Sequence, residues 1–371
     1  MVRLLLLLSF FLYSCSSTTT EYRSAKTYVG QQNYDKAEEI ALQGIANNPD
    51  DALTPYYLAL NIYGAPNSLK KDYSKTAQYF TLAIEMDDKT DDDQLLPEPI
   101  PVLNQYDETI QLVTIKEAIT HYRYMIWAEI FNESIELINK SDNKGAIEKL
   151  KIGKSMDPNN PATYDMLARL FFEMNDFNQS LNYANQALEL DKSISDLFTL
   201  KAEISKSEGD NIKAEEYLRK AYKIAISNNE DPKKLTNHMA GLFDILFVNG
   251  KKTEALGLSE SLIENDPENV LLYSNAGALY QNILIDEMTK ANELLSKIMD
   301  LNEQQLEDLK VIYQDCIDLA NKARENFLMC NQFELDEEKS ELYYEEAKNL
   351  KVIKNDLKSY IRKIDKQIDE L

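Results

Sequence analysis

FNQSLNYANQALELDKSISDLFTLKAEISKSEGDNIKAEEYLRKA, residues 177–221, decides the fold. Ser180, Ala184 and Ala187 stand at positions i, i+4 and i+7, and after a polar break Ala214, Leu218 and Ala221 repeat that spacing. Residues so spaced share one face of a helix, and small side chains there let a second helix approach closely. Ser180 and Ala214 lie 34 residues apart, so the stretch reads as a repeating helical unit.

Working outward, the same helix-end signature recurs, often with an Asp-Pro-like stop behind it. It appears as Ala37, Ala41, Gly44 and Pro49; as Thr76, Phe80, Ala83 and Asp88; and as Ala146, Leu150, Gly153 and Pro158. A further copy is Ala255, Ser259 and Leu262 with Pro267. Upstream of each runs another apolar helix, clearest in Tyr164, Leu167, Ala168 and Phe171 and in Tyr273, Ala276, Gly277 and Tyr280. Intervals other than Ser180 to Ala214 read as longer and call for insertions. From about Tyr28 to Leu262 the pattern resembles the tetratricopeptide repeat in six units. A seventh, from Val270, lacks a clean second-helix signature around Ala291 and Leu295.

Composition agrees with an all-α chain. Among 371 residues there are only 10 Gly and 10 Pro, and Leu, Ile, Ala, Glu, Lys and Asn outnumber β-formers, which favours helices joined by short polar turns. The resemblance implies a tetratricopeptide-repeat right-handed superhelical solenoid, all-α, with long C-terminal capping helices.

The first residues, MVRLLLLLSFFLYSCSS, place one basic side chain before an apolar run from Leu4 to Tyr13. That run is too short to span a bilayer and suits a secretory leader. Leu12-Tyr13-Ser14-Cys15 resembles the bacterial lipobox, which implies cleavage at, and acylation of, Cys15; Tyr13 departs from the small residue usual there. Two or more acyl chains anchor a protein durably. Ser16 and Ser17 follow, with no Asp retention signal, so the resemblance implies an outer membrane, on the side facing the periplasm. Losing Arg3 with the leader takes the formal charge from −23 to −24, a field that repels phosphate backbones and excludes nucleic acid as a partner.

The boundaries expected are a signal peptide over 1–14, a lipidated tether over 15–24, repeats 1 and 2 over 25–88, an acidic insertion over 89–114, repeats 3 to 7 over 115–302 and long helices over 303–371. Five Asp from Asp87 to Asp93 run into the insertion, which then carries Pro97, Pro99 and Pro101. Each Pro removes a donor and restrains its predecessor, so this stretch reads as a long acidic loop, a flexible arm outside the core. Its Leu95, Leu96, Ile100, Val102 and Leu103 could pack across a groove as a plug. Ile115 to Asn139 reads as a long bridging helix. Near the end, Tyr343, Leu350, Leu357, Ile364 and Leu371 recur every seven residues, with Lys354 interrupting the second row; this predicts a capping helix or a partner-binding seam.

Catalytic and metal signatures are lacking. His121 and His238 are the only histidines and have no second His or Cys at ligand spacing. No Gly-flanked serine elbow or Gly-rich phosphate loop occurs, and the Asp87–Asp93 run lacks the Gly and distal Glu of a calcium loop, so it reads as a solvated charge run. No cofactor is expected. Cys316 and Cys330, roughly 21 Å apart on one helix, cannot bridge there and read as small buried residues.

The inner wall of such a solenoid is lined by the first helix of each repeat. Outward-facing positions there are Asp165, Arg169, Phe172 and Glu173, then Thr199, Glu203, Lys206, Asn237, Asp244, Phe247, Gln281 and Asn282. Exposed aromatics dominate binding energy where they are desolvated, which singles out Phe172 and Phe247. The Lys and Asn arrangement that clamps a peptide carboxylate is absent. The expectation is a membrane-tethered scaffold that accepts a protein or peptide segment, similar to the accessory lipoproteins of outer-membrane barrel assembly, secretin and pilus biogenesis or cell-wall enzyme regulation. The alternative is a glycan-uptake lipoprotein on a helical-repeat scaffold; it is disfavoured by the single Trp127.

Overall fold

The computed structural model describes residues 18–104 and 106–371. Cys15 and the leader lie outside the described residues. The chain forms two compact units that divide between Lys192 and Ser193. In the first, α1 (Thr20–Gly30), α2 (Tyr34–Asn47), α3 (Leu53–Leu58) and α4 (Tyr73–Asp87) precede strands β1 (Leu95–Leu103) and β2 (Thr109–Thr114). Helices α5 (Ile115–Asn139), α6 (Asn143–Met156), α7 (Pro161–Glu173) and α8 (Phe177–Leu190) follow. The second unit holds α9 (Ser195–Ser207), α10 (Asn211–Ser227), α11 (Pro232–Val248), α12 (Lys252–Asn265), α13 (Val270–Leu295), α14 (Glu303–Phe333) and α15 (Glu337–Asp369). The fold is an all-α array of paired helices interrupted by one two-stranded ribbon. Helix α1 starts inside the expected tether, because Thr19 caps it by accepting from Tyr22 N–H at 3.2 Å and Tyr22 and Ala25 are buried.

The turn between paired helices explains the repeat. Ser141, Asn175 and Gly209 take the left-handed conformation, with φ of 62°, 59° and 79°. The next residue is each time an Asp. Asp142, Asp176 and Asp210 accept the N–H groups of Gly145, Gln179 and Lys213 at 3.0, 3.1 and 3.0 Å, satisfying donors that the following helix leaves open. These turns recur every 34 residues, so three successive units keep the period. The interval from Ala146 to Ser180 therefore needs no insertion, contrary to the sequence reading. The Asp-Pro stop has its own role: Tyr164 donates to the Pro158 carbonyl at 2.7 Å and Tyr273 to that of Pro267 at 3.1 Å. This ties the start of one pair to the end of the previous one.

The acidic insertion is not a loop. After an irregularity that absorbs Pro97 and Pro99, β1 and β2 pair antiparallel, with Ile100 opposite Leu112, Val102 opposite Ile110 and Leu103 opposite Thr109. Leu96 and Leu112 are buried, and Ile100 and Val102 pack on the same core, which also takes in Tyr56, Phe80, Ile115 and Trp127. The flexible-arm and groove-plug readings are thus both corrected. Prolines exclude helix, but they leave an edge strand available, and the apolar residues alternate as a strand's do. Nor is the charge run solvated throughout. Asp87 is fully buried and accepts Gln94 N–H at 2.7 Å, and Lys116 bridges Asp87, Asp88 and Asp93.

At the C-terminal end the seventh repeat has no separate second helix. Helix α13 runs straight through Ala291, and its partner is α14, where a Cβ on Gly277 would lie 3.1 Å from the Phe327 ring. Helix α15 packs along α14 through Leu350, Leu357 and Ile364, all buried with Tyr313, Ile317 and Ala320. The heptad stripe is therefore an internal seam; Leu371 is exposed. Lys354, which breaks the second row, donates to Asn321 on α14 at 2.7 Å. Cys316 and Cys330 are buried free thiols, pushed up by burial to about 11 and about 12.

Candidate functional site

The residues expected to line a groove fall on both units. On α7, Pro161 occupies the first turn and Asn160 caps it by accepting Ala162 N–H at 3.2 Å. Tyr164, Leu167 and Ala168 face inward. The opposite side carries Asp165 and Arg169, joined by Arg169 Nε to Asp165 Oδ1 at 2.8 Å. Glu173 is exposed and accepts from Asn143 at 3.3 Å. Phe172 is less available than expected, because its ring lies against Phe177, with centroids 5.7 Å apart.

In the second unit α9 and α11 bring several predicted residues together. Lys206 and Glu203 pair at 3.0 Å. Asp244 sits within the field of both; burial of its carboxyl, the larger effect, raises it above the usual range, and Glu203 adds to this while Lys206 opposes. One turn on, Phe247 is 38% exposed, and Asn237 shares that face seven residues before Asp244. The result is a strip of mixed charge ending in an accessible aromatic ring. On α13, Gln281 is turned toward α15, where it donates to Glu346 at 3.4 Å. Asn282 is exposed and donates to the Ala278 carbonyl of its own helix at 2.8 Å. Neither residue joins the strip.

Beneath the strip lies a polar group the sequence reading set aside. Thr199, expected to face a groove, lies 3.0 Å from Nδ1 of buried His238. Nε2 of that ring is 3.1 Å from Ser195 Oγ and 3.4 Å from Asp196. Ser195 in turn donates to both carboxylate oxygens of Glu230, at 2.7 and 2.9 Å, and Lys234 joins Asp196 and Glu230 at 3.1 and 3.2 Å. Burial, the dominant effect, holds the imidazole below its ordinary pKa against the pull of Asp196 and Glu230. For Glu230, hydrogen bonds from Ser195, Lys234 and Asn228 more than offset burial and keep it ionised. Ser195 is fully buried, and through Thr199, Ser195 and His238 the group ties α11 to α9. A polar residue on an apolar stripe, four before Leu242, was the signal for it.

Among the described residues no group of three His, Cys, Asp or Glu is placed to hold a metal. Among them, too, no helix is long and apolar enough to cross a membrane. Trp127 is buried and donates to Thr163 at 2.7 Å, so its ring is not offered to a sugar.

Residues 161–194 and 195–225 match the tetratricopeptide repeat family. A curated relative, DnaJ homolog subfamily C member 3 of Gallus gallus, is 24% identical over 181 residues, 46% of this chain and 36% of that protein. The chain thus spans about a third of that relative's length. Among solved structures, YrrB, described as a TPR protein with an unusual peptide-binding site, is 14% identical with a TM-score of 0.40, over 58% of this chain and 90% of its own. The Pseudomonas aeruginosa pilF protein is 13% identical with a TM-score of 0.42, over 64% of this chain and 90% of its own.

Proposed function

We propose that this chain, whose helix pairs over 161–225 are tetratricopeptide repeats, is a non-catalytic scaffold that binds a segment of another protein and is held at a cell-envelope membrane by lipid on Cys15. The observation that carries the reading is the strip on α9 and α11. Glu203, Lys206 and Asp244 offer charges of both signs beside the accessible ring of Phe247, the combination of an aromatic anchor and a polar rim that protein segments engage. The family match supports a protein-interaction role for the helix pairs. The strongly acidic charge favours a partner with basic or neutral contact residues over nucleic acid. An accessory role in an envelope assembly or secretion complex, on the periplasmic side of an outer membrane, fits the lipobox-like Cys15 with Ser16 and Ser17 behind it.

Two measurements test the two halves. A photo-crosslinking amino acid at position 247 should capture a partner in intact cells, and the same group at exposed Glu148 should not. Equal capture at both positions ends the α9/α11 reading. Labelled palmitate should enter the wild-type protein and not Cys15→Ala. An unlabelled wild type ends the anchoring claim alone.

A further inference from the structure

The β1/β2 ribbon treats its two edges differently. Asn104 N–H bonds the Glu108 carbonyl at 2.9 Å, which sets the alternation of the ladder. Opposed residues 102/110 and 100/112 exchange hydrogen bonds, while 103/109 and 101/111 direct their backbone groups outward. On the β1 edge that outward position falls on Pro101, with Pro99 two residues before it. These have no N–H to offer, and prolines on an edge prevent further pairing. On the β2 edge the outward residues are Thr109, Gln111 and Val113. The N–H of Val113 is taken by the Glu117 carboxylate at 2.8 Å. Thr109 and Gln111 are exposed and, by the ladder, present N–H and C=O to the outside. Exposed apolar side chains accompany this open edge, namely Ile110 and Val113 on β2, with Leu103 and Tyr106 at the ribbon's tip. Acidic side chains flank it, Asp107 and Glu108 at the turn and Glu117 at the start of α5. Hydrogen bonds from Val113 and Thr114 N–H hold Glu117 ionised.

We propose that the β2 edge is a second docking site, separate from the α9/α11 strip, which takes an extended segment of a partner protein as a third strand of the ribbon. Charge fixes the occupant's chemistry. Carboxylates at both ends of a short apolar edge select a strand with an apolar or Thr-rich centre and basic residues flanking it. The same carboxylates, in a chain of formal charge −23, disfavour a second copy of this protein, because β2 against β2 would bring like charges together.

The test uses a fluorescent peptide of alternating Val and Thr with two Lys at each end, titrated with the full chain by anisotropy. Wild type should bind it, and Gln111→Pro, which removes one outward N–H and obstructs strand addition, should bind it at least about tenfold more weakly. Pro101→Val, which restores an outward N–H on the opposite edge, should not weaken binding. Should Gln111→Pro fail to fold, as seen by circular dichroism, the same peptide with N-methylated alternate amides replaces it and should lose binding to wild type. Equal binding by Gln111→Pro or by the methylated peptide overturns the proposal, as does equal binding of a peptide with Glu in place of Lys. A dimer in sedimentation equilibrium that Gln111→Pro dissolves also overturns it, in favour of self-pairing. Phe247→Ala should not affect this binding, so failure here leaves the α9/α11 reading standing.

Discussion

Between α9 and α11, Ser195, Thr199, Lys234 and His238, with Glu230 just before α11, are hydrogen-bonded or ion-paired in one group. Helices α14 and α15 meet through Leu350, Leu357, Ile364 and Tyr313. Both joints lie in the second unit, yet they respond to different variables. An apolar seam is held by burial and close packing, which are indifferent to mild pH change. A buried polar group is satisfied only while each member keeps its proton state and its partner. The polar joint is the one beside the candidate strip, and the apolar joint closes the end of the chain.

The largest effect is expected in the apolar seam. Leu357 is fully buried between α15 and α14, so Leu357→Ala should cost about 2–5 kcal/mol through lost burial and the cavity left behind. Urea unfolding should give the same loss at pH 6 and pH 8. A loss below about 1 kcal/mol would mean the seam is loosely packed, and a pH-dependent one would erase the contrast between the two joints.

Next comes Glu215, an ionised group on α10 tied to Lys251, Arg219 and Asn249 at 2.7, 2.8 and 2.9 Å. Burial works to raise its pKa, but those hydrogen bonds win and lower it to about 2. Because the folded value lies below the unfolded one, its contribution is complete above the ordinary carboxylate range and is lost as pH falls toward 2. Glu215→Ala should cost about 1–3 kcal/mol at pH 7. It should also flatten the decline of stability between pH 5 and pH 2.5 followed by thermal melting. The decline persisting unchanged would assign it to other carboxylates.

His238 sharpens the comparison directly. Its folded pKa is depressed by burial, so the unfolded chain binds the proton more readily. Stability is complete above the unfolded value of about 6.5 and falls as pH drops through it toward the folded value. Wild type should lose more stability between pH 7 and pH 5 in urea unfolding than His238→Gln does. Equal losses in the two proteins would show that Asp196 and Glu230 stabilise the imidazolium enough to cancel the burial penalty.

What could be read in the sequence divides along the same line. Helix pairs, the bridging helix from Ile115 to Asn139 and the α15 stripe declare themselves by spacing, because one repeated face must be apolar in every copy. The ribbon did not, since three prolines and five aspartates mask the alternation of Leu96, Ile100, Val102 and Leu112, and strand pairing is settled by partners distant in sequence. Gln281 and Phe172 were legible as outward-facing on their own helices. Their actual neighbours, Glu346 on α15 and Phe177 on α8, depend on packing that helical spacing does not encode. His238 looked idle because its partners, Ser195 and Thr199, belong to the preceding pair.

The smallest stability effect, and the one that bears most on function, is expected at Phe247. The ring lies on the face of α11 shared with Asn237 and Asp244, while Leu242, Phe243, Ile245 and Leu246 supply the buried side of the same helix. Since 38% of Phe247 already faces water, Phe247→Ala should cost about 1 kcal/mol or less, against the 3–5 of a buried Phe. Partner capture is a different matter: a half-exposed ring that becomes desolvated in a complex can contribute about 2 kcal/mol or more to binding. The expected outcome is a melting temperature within a few degrees of wild type and at least tenfold weaker binding of whichever protein is crosslinked through position 247. A loss of stability near that of Leu357→Ala would assign Phe247 to the packing of α11, and the strip would then lack its aromatic anchor. Unchanged stability with unchanged binding would move the contact surface away from α11 altogether, leaving Glu203 and Lys206 on α9 as the residues to substitute next.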